Sequence, residues 1–317
     1  MNLNKNASNE KASTRDGFGK ALLKLGKNPD VVALCADLTE SVRMNWFAEK
    51  YPKRFIEMGV AEQNMMGVGA GLASLGKIPF VGSFAVFSPG RNWDQLRVSV
   101  CYSNLNVKII GGHAGITVGG DGATHEALED IAITRCLPNM TVLVPADGPQ
   151  TKKATIASAK IKGPVYIRLG REKTPSITTP KTPFKVGKAD IYKDGKDIAI
   201  IACGLMVGHA LQAAMILEKK GISAMVINNH TIKPIDKKTL LQAANKTGCV
   251  VTAEEHQIQG GLGSAVAEAI ATNPVPLEFV GMPDSFGESG DPEKLLSKYK
   301  MQPKDIVNAA LRVMKRK

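Results

Sequence analysis

Short apolar runs alternate with longer segments of helical periodicity along the chain. Six runs rich in Val, Ile and Phe occupy the first half, each short enough for one strand: DVVALCADL (30–38), FIEMGV (55–60), IPFVGSFAVF (78–87), VKIIGGH (107–113), TVLVPAD (141–147) and VYIRLG (165–170). Near-continuous apolar strands separated by helices are typical of a parallel sheet that is covered on both faces. The segment AEQNMMGVGAGLASLG after the second run predicts a helix whose small residues allow another element to pack closely.

The alternation of apolar runs and helical segments is interrupted once and then resumes. Residues 172–196 contain three prolines and no long apolar run, which predicts a linker. Four further runs follow, with helices between them, and a last helix starts near Pro303: DIAIIACG (197–204), AMVINN (224–229), CVVTAEE (249–255) and PLEFVGM (276–282). We therefore predict an α/β protein of two successive domains, each a mostly parallel sheet with helices on both faces. They cover residues 13–171 and 197–317, after a disordered tail at 1–12.

Composition narrows the class of protein. The five cysteines are odd in number and never form a CxxC pair, which favours reduced thiols over disulfides or zinc. No apolar run has the length of a membrane span, and the polar first residues do not resemble a secretory signal. These features predict a cytoplasmic protein that does not bind membranes.

The formal net charge of +12 raises the question of nucleic-acid binding. The lysines are spread along the chain, and aromatic residues make up only 5% of it, so there is little on which to stack bases. We therefore expect a basic surface that serves acidic metabolites or an acidic partner, and no nucleic acid.

Polar residues follow several predicted strands, where parallel α/β folds place their chemistry. Asp37 and Ser41 follow the first strand, and Glu62 follows the second. The fourth strand leads into HAGITVGGDGATH (113–125), which holds two of the five histidines. A metal site is disfavoured there because the spacing fits no zinc motif, and the lysine-containing phosphate loop GxxxxGK[ST] is absent from the chain. A pocket for a polyhydroxylated ligand and a purely structural role of the two histidines both stay open at this point.

Four stretches together carry a family resemblance: MGVAEQNMMGVGAGLA, GSFAVF, HAGITVGGDGATHE and LPNMTVLVPADG. In this order and spacing they resemble the pyrimidine-binding and C-terminal domains of transketolase, from about Thr14 to the last helix. One-chain transketolases carry a further domain ahead of this region, which holds the cofactor diphosphate and Mg²⁺. The resemblance therefore implies the second subunit of a split transketolase, which pairs with an N-terminal, diphosphate-binding subunit in an α2β2 assembly.

The resemblance also implies the chemistry. It is the transfer of a two-carbon ketol unit from a ketose phosphate to an aldose phosphate. Thiamine diphosphate serves as the cofactor, and Mg²⁺ or Ca²⁺ is held mainly by the partner. Glu62 matches the glutamate that shares a proton with N1′ of the aminopyrimidine, and Phe84 and Phe87 match the residues that pack on that ring. Asp37 matches an aspartate near the cofactor.

The remaining matches contact the substrate. Asp121 accepts a hydrogen bond from a hydroxyl near the reacting carbon, and His125 orients the C1 or C3 hydroxyl and moves protons, which makes it catalytic together with Glu62. The matches for the phosphate end are His113, Arg15, Ser41 and Arg171, and arginine suits that task because its fork meets two phosphate oxygens.

Three alternatives stay open. A 1-deoxyxylulose-5-phosphate synthase shares the GDGATH loop but has arginine in place of His113. The beta subunit of 2-oxo-acid dehydrogenases has a similar architecture but lacks the DGxTH loop. The third is a non-catalytic scaffold subunit. His230 and His256 suggest no chemistry.

Overall fold

The structure, a computed structural model, describes residues 11–317. Most of the predicted tail at 1–12 lies outside the described residues, but Lys11 and Ala12 belong to a short strand. Within the described residues, no helix is long and apolar enough to cross a membrane.

The first domain is built on a seven-stranded sheet with the order β12-β6-β7-β5-β4-β2-β3. All neighbouring strands are parallel except β12, which pairs antiparallel with β6. The strands are β2 (Val31–Cys35), β3 (Phe55–Glu57), β4 (Ile78–Phe84), β5 (Lys108–Gly112), β6 (Thr141–Leu143), β7 (Val165–Arg168) and β12 (Thr231–Lys233). The helices are α1 (Thr14–Leu25), α2 (Asn45–Lys50), α3 (Glu62–Ser74), α4 (Trp93–Gln95), which continues into a π-helix (Leu96–Tyr102), α5 (Asp130–Arg135) and α6 (Gly148–Ser158). Within residues 11–317, this domain also has 3-10 turns at Pro52–Arg54 and Ile116–Asp121.

The second domain is built on a five-stranded sheet with the order β14-β13-β10-β11-β9, in which only β9 is antiparallel to its neighbour. Its strands are β9 (Asp190–Lys193), β10 (Ile198–Ala202), β11 (Ala224–Asn228), β13 (Val250–Gln257) and β14 (Leu277–Met282). Its helices are α7 (Met206–Glu218), α8 (Lys237–Thr247), α9 (Leu262–Ile270), α10 (Pro292–Lys298) and α11 (Pro303–Met314). Both sheets are mostly parallel, as predicted from the apolar runs.

The join between the domains differs from a simple linker. The segment 172–196 contains β9 and also β8 (Lys173–Pro175), which pairs antiparallel with β1 (Lys11–Ser13). Strand β12 lies in the second half of the chain yet extends the first sheet, where Thr231 is opposite Leu143. These short segments are too polar and too brief to stand out in the hydrophobic pattern. These short strands form the connection between the two domains.

Helix α3 packs so closely on the first sheet that a side chain at Gly69 would place its Cβ 2.8 Å from Val81 of β4. Met65 and Met66 are fully buried on the same helix, whereas Gly67 and Gly71 have open space above them. The small residues thus serve close helix-to-sheet packing on one face of α3. The packing fixes the position of Glu62, the first residue of α3.

Candidate functional site

The carboxyl ends of β4 and β5 bring four aromatic side chains together. Phe84 ends β4, opposite Gly112 of β5, and the ring of His113 lies 3.8 Å from the Phe84 ring, centroid to centroid. Phe87 stacks near Phe84 at 6.2 Å. The His125 ring meets both phenylalanines edge-on, at 6.2 Å and 5.4 Å. We call these four residues the aromatic cluster; the sequence predicted all four as site residues, and the fold collects them.

Glu62 is 1% exposed and is held by two residues that the sequence did not indicate. The Arg91 guanidinium donates a hydrogen bond to Glu62 Oε2 at 2.6 Å, and Asn92 donates to the Glu62 carbonyl at 3.2 Å. Glu62 Oε1 makes no hydrogen bond within residues 11–317. The Arg91 guanidinium also lies 4.7 Å from the centroid of the Phe87 ring, so it links Glu62 to the aromatic cluster.

The predicted phosphate ligands also assemble. Arg15 donates to the carbonyls of Ser41 at 2.7 Å and Arg171 at 3.1 Å, while its buried Nε has no partner in the described chain. His113 is 4% exposed, and its Nδ1 is likewise without a partner among these residues. Burial, followed by the charges of Arg15, Arg171 and Arg43, lowers the pKa of His113 to about 3. The imidazole is therefore neutral near pH 7 and keeps one nitrogen to donate and one to accept.

Glycines let the loop at 113–125 run close against the second domain. Gly115 has a φ of 94°, and a Cβ there would lie 2.4 Å from Glu255 Oε2. Gly122 has a φ of 75°, and a Cβ there would lie 2.2 Å from Ser289 Oγ. Both positions need a left-handed backbone and a close approach, which only glycine supplies without strain. This accounts for the glycine-rich composition of the loop.

Polar contacts complete the loop. Arg171 Nη1 donates to the carbonyl of Val118 at 2.6 Å and lies 3.8 Å from Asp121 Oδ1. The Thr124 hydroxyl is 2.9 Å from His125 Nδ1. The structure thus places Asp121 beside Arg171, and Arg171 has a structural contact in addition to its predicted role.

Two buried carboxyl groups lie beside the loop, Glu126 of the first domain and Glu255 of the second. The Thr117 hydroxyl donates to Glu255 Oε2 at 3.1 Å, whereas Glu255 Oε1 and both carboxyl oxygens of Glu126 lack partners within the described chain. Burial is the main cause that raises the pKa of Glu126 to about 8 and that of Glu255 to about 7. Neither residue was a sequence candidate, because an isolated Glu beside a histidine carries no recognisable motif.

Asp37 follows β2 and contacts Glu57. It is exposed in a left-handed turn with a φ of 58°, and its N–H donates to Glu57 Oε1 at 2.8 Å. In the part of the chain that the structure describes, no hydrogen bond or ring contact joins Asp37 to the aromatic cluster. Its role near a cofactor stays a prediction.

The two remaining histidines of interest have structural environments. His256 Nε2 accepts a hydrogen bond from the Ala132 N–H at 3.3 Å, and its Nδ1 is 2.7 Å from the Gln257 carbonyl. The His230 ring packs on Phe184 with 4.4 Å between centroids. Both histidines fill buried positions between elements.

This fold and site match one class of protein. Residues 10–176 match the family model described as the transketolase pyrimidine-binding domain, and residues 187–306 match the transketolase C-terminal domain. The chain belongs to the transketolase family. It corresponds to the part of that family that comprises these two domains.

Similar proteins are known as separate chains. A transketolase C-terminal section of Methanocaldococcus jannaschii is 45% identical, with 95% of this chain and 96% of that protein covered. A 6-deoxy-6-sulfo-D-fructose transketolase subunit of Clostridium sp. (strain MSTE9) is 46% identical, with 96% and 95% covered. One of the subunits of an apulose-4-phosphate transketolase of Phocaeicola vulgatus is 39% identical, with 98% and 100% covered.

Solved structures agree with these relatives. A split-gene transketolase, described as an inactive beta4 tetramer, superposes with a TM-score of 0.90 at 49% identity, covering 96% of this chain and 99% of that one. The transketolase of Campylobacter jejuni superposes with a TM-score of 0.83 at 23% identity, covering 98% of this chain and 49% of that one. The second match supports the fold alone.

Proposed function

We propose that this chain is the C-terminal subunit of a two-chain transketolase, which transfers a two-carbon ketol unit from a ketose phosphate to an aldose phosphate. The observation that carries the proposal is that a group of residues suited to a cofactor ring lies next to a group suited to an anion. A buried carboxylate with one free oxygen is linked through Arg91 to the aromatic cluster. A neutral histidine of that cluster is close enough to Arg15 and Arg171 for their charges to lower its pKa.

The residues present fit the aminopyrimidine of thiamine diphosphate. Glu62 Oε1 is available to a ring nitrogen, and Phe84 and Phe87 offer flat apolar faces to the ring. When bound, the cofactor supplies a nucleophilic carbon and an electron sink. Glu62 would hold the proton at the ring nitrogen, and Arg91 would keep the carboxylate oriented for that task. Asp37 is proposed near the cofactor on the family resemblance.

The polar side of the site suits a sugar phosphate. Asp121 and His125 would hold the hydroxyls next to the reacting carbon, with His125 moving a proton. Arg15, Arg171 and the neutral His113 would hold the phosphate, with Ser41 beside them. Unpartnered donors such as Arg15 Nε favour this assignment, because a buried polar atom without a partner is costly unless a ligand satisfies it.

We propose that the cofactor diphosphate and its Mg²⁺ or Ca²⁺ are held mainly by an N-terminal partner subunit, and that the complex is α2β2. The relatives named as subunits or as a C-terminal section support a partner. The inactive beta4 tetramer of the split-gene relative agrees with inactivity of this half alone.

Co-expression with a subunit that carries the diphosphate-binding domain tests the proposal. The purified complex, with thiamine diphosphate and Mg²⁺, is assayed against a panel of ketose phosphates and aldose phosphate acceptors. We expect transfer of a two-carbon unit by the complex and none by this chain alone. In a parallel assay with pyruvate and glyceraldehyde 3-phosphate, release of CO₂ with formation of 1-deoxyxylulose 5-phosphate would favour the synthase alternative. No turnover in either assay by a complex that binds cofactor would favour the scaffold.

A further inference from the structure

We propose that Arg43 is a specificity-determining residue that makes the anion end of the substrate site prefer donors with a doubly charged terminal group. This inference rests on the proposed function, since it names which substrates that site selects. Arg43 is not among the residues that the family resemblance assigned.

Two neighbouring contacts place Arg43 beside the phosphate ligands. The first turn of α1 and the loop at 39–43 are joined by the Arg15 hydrogen bond to the Ser41 carbonyl, at 2.7 Å. They are joined again by the Arg43 Nε hydrogen bond to Asp16 Oδ1, at 2.8 Å. Because Arg15 and Asp16 are adjacent in α1, the two guanidinium groups lie at the same junction.

The surrounding structure fixes the position of Arg43, so it does not behave as a flexible surface side chain. Its backbone has a φ of 64°, a left-handed conformation that is uncommon for any residue other than glycine. Its Cβ packs over α1 at Gly19, where an added Cβ would lie 2.8 Å away. Asp16 is itself fixed, because its N–H bonds to Ser13 Oγ at 3.1 Å. Backbone strain of this kind persists where the surrounding structure holds it and is common at ligand sites.

Arg43 also keeps a free donor. Its Nη1 donates to the Glu40 carbonyl at 3.0 Å, and its Nη2 makes no hydrogen bond within residues 11–317. After burial, the charge of Arg43 is the largest influence that lowers the pKa of Arg15, and it also lowers the pKa of His113. The positive potential of Arg43 therefore reaches the two groups proposed to hold the substrate anion.

Charge selection follows from Coulomb's law, since the interaction of a fixed cation with an anion is proportional to the charge of that anion. A phosphate monoester is nearly a dianion at pH 7.5, because its second pKa is about 6. A sulfonate of the same sugar carries a single charge, and the free sugar carries none. Loss of the Arg43 charge should therefore raise the logarithm of KM for the phosphate twice as much as for the sulfonate. It should leave KM for the free sugar unchanged.

The experiment compares the complete two-subunit complex carrying wild-type chain, Arg43→Gln or Arg43→Leu, with Arg43→Lys as the charge-conserving variant. Arg316→Leu, a half-exposed arginine of the C-terminus, is the matched control for the loss of one positive charge. We measure kcat and KM at pH 7.5 for the phosphate, the sulfonate and the unphosphorylated form of one ketose. We expect KM to rise about 10-fold for the phosphate and about 3-fold for the sulfonate, with the free sugar unchanged. Arg43→Lys should recover most of the loss, and Arg316→Leu should show none.

Two negative outcomes are distinguishable. A wild-type complex that transfers no two-carbon unit from any donor contradicts the proposed function and this inference with it. An active complex in which Arg43→Gln and Arg43→Leu change all three donors equally, or change none, contradicts the inference alone.

Discussion

Arg91 and Glu62 form an ion pair in which Arg91 Nη1 lies 2.6 Å from Glu62 Oε2. The pair joins a buried side chain to an exposed one. The Glu62 side chain is 1% exposed, whereas that of Arg91 is 47% exposed. One carboxylate oxygen is thus tied to a partner that solvent can reach, and the other is left for a ligand.

The first prediction concerns the free oxygen of Glu62. Glu62→Gln removes the group that would hold the proton at the cofactor ring nitrogen, so turnover of the complex should fall roughly 100-fold or more while assembly is retained. Exchange of the cofactor C2 proton, followed by NMR, measures this step directly. Glu49→Gln, at an exposed position of α2, is the control. Exchange as fast as in the wild-type complex would remove Glu62 from the activating role.

The second prediction concerns where the cofactor is held. In isothermal titration calorimetry, this chain alone should bind thiamine diphosphate negligibly with Mg²⁺ present, because the proposed diphosphate anchor belongs to the partner. Addition of the partner subunit should create binding. Micromolar or tighter binding by the isolated chain would contradict the two-subunit proposal.

A third prediction separates phosphate recognition from chemistry. A charge-assisted contact is worth about 1.5–3 kcal/mol, so Arg171→Ala should raise KM for a ketose phosphate roughly 10- to 150-fold. Hydroxypyruvate, which has no phosphate, should be processed nearly as before, whereas His125→Ala should slow both donors because His125 is proposed to act near the reacting carbons.

The contact of Arg171 with the Val118 carbonyl requires a second variant. Arg171→Gln keeps a hydrogen-bond donor for the loop but loses the charge, so it should show the same selective rise in KM. Equal damage to both donors in both variants would assign Arg171 to support of the loop instead.

The fourth prediction uses the buried carboxyl of Glu126, whose pKa is raised from 4.5 to about 8. Below pH 4.5 this group is neutral in both the folded and unfolded states. Between pH 4.5 and 8 the unfolded state ionises first, so the wild-type chain loses stability as pH rises. Glu126→Gln lacks this titration, and its free energy of unfolding relative to wild type should increase by roughly 2–4 kcal/mol from pH 5 to pH 8.

Urea unfolding at the two pH values measures that difference. Glu293→Gln, at an exposed position of α10, should show no comparable change between pH 5 and pH 8. A difference between Glu126→Gln and wild type that is independent of pH would mean that Glu126 does not titrate in this range.

The sequence by itself determined the two-domain α/β class, because buried parallel strands need continuous apolar runs that are visible without any contacts. It also determined the family and indicated which candidate site residues follow the strands. Phe84, His113 and His125 were predicted from local motifs. The structure brings Phe84 and His113 together because parallel strands end at the same edge of the sheet, and the glycine-rich loop brings His125 to them.

Only the tertiary structure decided what surrounds those residues. Arg91 is 29 positions from Glu62, and Glu255 is 138 positions from Thr117, so no local spacing relates the members of either pair. The hydrophobic pattern also did not predict that β12 joins the first sheet, because a strand of three residues buries too little surface to leave a periodic signal. Local motifs indicate the groups that we propose to meet a ligand, whereas the groups that hold them in place depend on how distant segments pack.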